Sequence, residues 1–66
     1  MTIQIDKLAD AAYIRFAEGT PFESQVVGEG VVLDFDQSGQ IIAIELLGVS
    51  HNMPGNSLSR VEVVTN

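Results

Sequence analysis

The chain has 66 residues, no cysteine, one histidine, and nine acidic against three basic side chains, for a formal charge of −6. Without cysteine there are no disulfides or thiolate metal ligands, and a lone histidine gives zinc no cluster of nitrogen ligands. The cations Lys7, Arg15 and Arg60 are scattered, so no basic patch neutralises phosphates or meets anionic lipid, and nucleic acid and membrane surfaces are excluded as expected partners.

A chain of this length is one small domain, residues 1–66, whose core alone supplies about 3–5 kcal/mol. With disulfides and metal set aside, oligomerisation is the expected support. No apolar run approaches the roughly 20 residues of a membrane span. Residues Met1 to Asp6 lack the basic flank and apolar core of a signal peptide, so the expected location is the cytoplasm. No cofactor is expected.

In chain order, Thr2 to Asp6 alternates polar and apolar residues, with Ile3 and Ile5 on one face, and reads as a half-buried strand. Asp6 is placed to cap a single helical turn before Asp10. Ala11 to Phe16 is a second strand, with Ala12, Ile14 and Phe16 facing one way and Ala11, Tyr13 and Arg15 the other. Ala17 to Ser24 holds Gly19 and Pro21 and forms the first loop. Gln25 to Val27 begins a third strand, and Gly28-Glu29-Gly30 marks a bulge or bend within it.

Gly30 to Leu47 is the organising hairpin: two β-rich runs flank Asp36-Gln37-Ser38-Gly39, where Gly39 supplies positive φ and Asp36 bonds its own turn. If Asp36 lies opposite Gln40, then Phe35 meets Ile41, Leu33 meets Ala43 and Val31 meets Glu45. One face then carries Val31, Leu33, Phe35, Ile41, Ala43 and Leu47, and the other Val32, Ile42, Ile44 and Leu46. Ten apolar residues on two faces are more than so short a chain covers, and a second subunit is the expected cover. Gly48 to Ser57, with Asn52, Pro54, Gly55 and Asn56, is a second loop that cannot stay helical for long. Leu58 to Val64 is β-prone and reads as a fifth strand or as an arm that adds to another subunit.

Asp34 to Glu45 fits the calcium-loop string, with acids at positions one and three, Ser38 at five, Gly39 at six and Glu45 at twelve. That motif requires a helix on either side, whereas both flanks here are strands. In a hairpin Glu45 lies roughly 17 Å from Ser38 at about 3.3 Å per residue. A specific metal site is therefore not expected, although Asp34 and Asp36 share a face and form the basis of an alternative ligand-binding reading. Asp10 with Tyr13 offers an acid and a donor without specific spacing. Adjacent residues such as Ser50 and His51 seldom point at one another as nucleophile and base do. Glu45, set among Val31, Ala43 and Leu47, is expected to be a structural carboxylate, paired with Arg15 or Arg60 or lying at the sheet margin. No catalytic, cofactor or metal residue is assigned.

Asp10 to Phe16, Glu29 to Asp36, Gly39 and Ile44 to Leu47 together resemble the YuzE-like family of small prokaryotic proteins, in order and spacing, over about residues 3 to 50. That family is a domain of unknown function, so the resemblance carries over no site residues. It implies an accessory or toxin–antitoxin-like role. Gly48-Val49-Ser50 and the Leu58 to Asn66 extension depart from its pattern.

The expected fold is mainly β, bordering on α+β: a small antiparallel meander of four to five strands built around the 30–47 hairpin. The expected function is that of a non-catalytic homo-oligomeric interaction module, a dimer or higher, whose acidic surface neutralises a small basic protein. The alternatives are a small-ligand or metal-binding protein, and an enzyme whose site draws Glu45, Asp10, Tyr13 or His51 from different subunits.

Overall fold

The computed structural model describes residues 1–55 and 57–66. Five strands, β1 (Thr2–Asp6), β2 (Ala11–Arg15), β3 (Glu23–Gly28), β4 (Val31–Phe35) and β5 (Ile41–Leu47), form one antiparallel sheet in the order β1-β2-β5-β4-β3. The mainly β, antiparallel architecture read from the sequence is the one observed. Strands β3, β4 and β5 are the meander, and the β1–β2 hairpin joins it through β5, so β2 pairs with β5 and not with β3. Among the described residues, no helix is long and apolar enough to cross a membrane.

The local chemistry explains the turns. Asp6 accepts from the Ala9 amide at 3.0 Å, the capping expected of it, but the segment makes a turn and no helix. Gly28-Glu29-Gly30 does not bend a continuing strand, since β3 ends at Gly28 and the chain reverses into β4, with Gly30 at φ 73°. The predicted bulge lies just before it, between Val26 and Gly28. In the central turn Asp36 Oδ1 accepts from the Ser38 amide (2.9 Å), the Ser38 hydroxyl (2.7 Å) and the Gln40 amide (3.0 Å). Gly39 takes φ 88°.

The register departs from the expected one at a single point. Phe35 does lie opposite Ile41, but a bulge follows: Asp34 faces Ala43, Leu33 faces Ile44, Val32 faces Glu45 and Val31 faces Leu46. A one-residue slip moves every later side chain of β5 to the other face. Across β1, β2, β5 and β4 the faces now sort by polarity, while β3 sets Gln25 beside Leu33 and Val26 beside Val32. Ile3, Ile14, Ile44 and Leu33 form one apolar row across four strands, and Ile5, Ala12, Leu46 and Val31 form the next. The opposite face carries Gln4, Tyr13, Glu45 and Val32 in one row, and Thr2, Arg15, Ala43, Asp34 and Ser24 in the other.

Beyond β5, Gly48 takes φ 61° and starts a four-residue helix, α1 (Val49–Asn52), within the segment expected to be helical only briefly. Asp10 docks it: the Asp10 carbonyl accepts from the Val49 amide at 3.0 Å, and its carboxylate accepts from the Ser50 amide and hydroxyl, the latter at 2.7 Å. Val49 is buried there. Asn56, in the same expected loop, lies outside the described residues. Ser57–Ser59 form one 3-10 turn, and 60–66 have no regular structure. Leu58 to Val64 is thus no strand of this sheet. Asp10 holds α1 at the end of the sheet, and the chain that follows joins no ladder.

No second layer packs on the sheet among the described residues: the extensive contacts are those between neighbouring strands. The radius of gyration is 12.5 Å, against about 11 Å for a compact domain of this length.

Candidate functional site

The polar face centres on Asp34, which is 2% exposed. A carboxyl group buried on a sheet costs folding energy unless its oxygens are bonded, and three neighbouring strands supply the partners. Ser24 of β3, directly opposite, donates its hydroxyl to Oδ1 at 2.6 Å. Tyr13 of β2 reaches across β5 and donates to Oδ2 at 3.3 Å. The register places Ala43 between Arg15 and Asp34, and its small side chain leaves the space over which a tyrosine spans an intervening strand. Glu45 of β5 lies diagonal to Asp34 on the same face and close enough for Asp34 to shift its carboxyl. Among the described residues no buried side-chain polar atom lacks a partner.

The electrostatics follow from this packing. The hydrogen bond with Asp34, then burial, then the charge of Asp34 push the Glu45 carboxyl above its ordinary value of 4.5. The protonated form is favoured because it donates to Asp34, whereas two adjacent carboxylates repel. Burial, then the Asp34 charge, raises the Tyr13 hydroxyl above 10. Two carboxyl groups thus lie side by side, flanked by two hydroxyls.

The expected partners of Glu45 are engaged elsewhere. Arg15 donates to the carbonyls of Ala17 (3.2 Å) and Gly19 (2.7 Å), folding down the first loop. Arg60 pairs with Glu62 at 2.7 Å on the surface. The pairing expected of Glu45 is therefore corrected: its partner is a carboxyl group, because the bulge after Asp34 brings it to the polar face. Asp10 and Tyr13 do not meet, since Asp10 serves Ser50 and Tyr13 serves Asp34. The Ser50 hydroxyl points to Asp10 and not to His51.

The ends of the calcium-like string, Asp34 and Glu45, do come together, as neighbouring carboxyl groups on the polar face, while Asp36 Oδ1 is bonded within its own turn. Among the described residues no group of three or more His, Cys, Asp or Glu side chains is arranged to hold a metal ion. Ser24 is the member that sequence reasoning missed, having been assigned to a loop. Its signal was the β-prone Ser-Gln-Val-Val run that begins with it.

Linkage gives a pH prediction. Between pH 4.5 and the raised value of Glu45 the folded chain binds more protons than the unfolded one, so stability falls as pH rises through that window. The Ser50 hydroxyl and amide lower Asp10, and the Ser38 hydroxyl and the Gln40 amide lower Asp36, both below 3.8. Their contribution is present above 3.8 and is lost as pH falls through the lowered values. Urea midpoints should therefore peak at about pH 4–5. In Glu45→Gln, whose amide donates to Asp34 at every pH, the decline on the neutral side should flatten. An unchanged slope there would show that Glu45 does not hold the proton.

Fold and site define a single-layer antiparallel β protein with a buried polar cluster on one face and two apolar rows on the other. By sequence the chain belongs to the family described as a protein of unknown function (DUF2283), whose model matches residues 2–50. This span contains all five strands and every member of the Asp34 cluster, and shows an uncharacterised family of small domains. Comparison with curated proteins and with solved structures returned no match.

Proposed function

We propose that this protein is a non-catalytic, self-associating interaction module, in which a second copy covers the apolar face. The observation that carries this reading is the pair of apolar rows, Ile3-Ile14-Ile44-Leu33 and Ile5-Ala12-Leu46-Val31, on a sheet with no second layer. The area agrees. The chain exposes 5045 Å², whereas a compact protein of its mass exposes about 4,100 Å². The excess of about 900 Å² is what each partner gives up in an interface of standard size, about 800 Å². Two such sheets pack face to face about 10 Å apart.

In that dimer the Asp34 face points outward and the charge doubles. The acidic surface fits a small basic protein, met in the cytoplasm, with steering that weakens as salt rises. The YuzE-like resemblance and its toxin–antitoxin-like role accord with such a partner.

Light scattering across a dilution series tests the self-association. The expected result is a dimer that dissociates on dilution, and a Leu33→Lys variant whose dissociation constant rises about 100-fold, since an unpaired charge in an interface costs several kcal/mol. In the monomer the lysine stem packs along the sheet and its ammonium reaches water, so circular dichroism should keep the native strand signal. A wild-type chain that stays monomeric at every concentration would sink the reading.

A further inference from the structure

We infer that the C-terminal segment 60–64 of one copy adds as a sixth strand to the β1 edge of a second copy. The inference rests on the two-copy reading above and names a further contact within that assembly.

Four observations lead there. Residues 60–66 have no regular structure, yet 60–64 read Arg-Val-Glu-Val-Val, a β-prone run. Val61, Val63 and Val64 are 51%, 79% and 71% exposed. Three valines in water on an unpaired segment describe a strand without its sheet. The two edges of the sheet also differ. β3 carries a bulge between Val26 and Gly28, one of the devices that protect an edge from pairing. β1 is paired to β2 in unbroken register from Thr2 to Asp6. It holds no proline, and its outward backbone groups are open to a further strand.

The chain leaves the domain beside that edge, because Leu58 lines one hollow with Gln4, Ile5, Asp6, Lys7 and Leu8. The pattern fits as well. Five residues, 60–64, match the five of β1, and on pairing Val61 and Val63 extend the apolar rows begun by Ile3 and Ile5 while Glu62 falls on the polar face.

The second copy is the occupant that conformation favours. Leu58 sits beside its own β1 edge, yet residues 60–66 form no ladder with it. Reciprocal exchange of the two arms is the self-complementary arrangement that two-fold symmetry demands.

Amide hydrogen exchange of the intact chain, followed at Val61 to Val64 above and below the dimer dissociation constant, is the test. The expected result is exchange slowed at least tenfold in the dimer and free in the monomer. In a dimer mixed from labelled and unlabelled chains, contacts should run between residues 60–64 of one copy and β1 of the other. Glu62→Pro and Val63→Pro each delete one amide donor, and at least one of the two should weaken the dimer tenfold or more while leaving the monomer's circular dichroism unchanged. A dimer with free exchange at 61–64, or with neither proline variant weakened, overturns the inference and leaves the two-sheet reading standing. Protection independent of concentration places the arm on its own β1 and also overturns it. A chain that is monomeric throughout overturns both.

Discussion

Asp34→Ala should leave the chain largely unfolded at neutral pH, whereas Asp34→Asn should fold. The alanine variant strands the hydroxyls of Tyr13 and Ser24 and the carboxyl of Glu45, all built to donate to Asp34. Truncating one partner in a buried charged network costs about 3–5 kcal/mol. A chain of this size has about 3–5 kcal/mol from its core, so the loss is of the order of the whole stability. Asparagine keeps an acceptor oxygen for Ser24 or Tyr13. Its amide donates to Glu45, which no longer faces a second carboxyl and is free to ionise. A cost of about 1 kcal/mol is expected there. Urea unfolding followed by circular dichroism measures both. Equal midpoints for the two variants would mean that the cluster does not hold the four strands together.

The difference between these variants rests on one feature of the backbone that the sequence did not disclose. Strand identities were legible, because alternation marks Thr2–Asp6, Ala11–Arg15 and the two arms of the hairpin, and because Asp36 and Gly39 specify their turn. The pairing Phe35–Ile41 was legible too. The bulge just beyond it was not: no glycine or proline marks it, and both arms of the hairpin are apolar enough to accept either register. Once β5 slips by one residue, Glu45 leaves the apolar row for the polar one and Ile44 and Leu46 take its place. What read as two mixed faces, with a misplaced acid on one, becomes one apolar face and one polar cluster. The cluster was then invisible for a second reason: its members come from four strands, and local spacing places no two strands side by side unless a tight turn joins them. The β2–β5 pairing that brings Tyr13 to Asp34 has no such turn.

The C-terminal segment shows the converse limit. Its composition is that of a strand, and within the single chain it is none, since a strand needs a ladder as well as propensity. Of the two places its composition suggests, a fifth strand here or an arm for another subunit, the structure removes the first.

Gly30→Ala is expected to cost about 3 kcal/mol, from two sources that can be separated. At φ 73° an L-residue costs about 1–2 kcal/mol relative to its right-handed conformation. A Cβ at this position also meets the Asn52 side-chain amide and the Leu47 carbonyl. Neither gives way freely. Asn52 Nδ2 donates to the Leu47 carbonyl at 2.9 Å, and the Leu47 amide donates to the Gly30 carbonyl at 2.8 Å, closing the end of β5 against the β3–β4 turn. Moving Asn52 aside loses one bond, and moving Leu47 opens the ladder. In an Asn52→Ala background only the backbone part and the Leu47 contact remain, so Gly30→Ala should cost about 1 kcal/mol less there, a coupling that a double-mutant cycle reads directly. The same loss in both backgrounds would assign the whole effect to the left-handed backbone and Leu47. α1 would then owe its place to Asp10 and Val49 rather than to the close approach of Gly30.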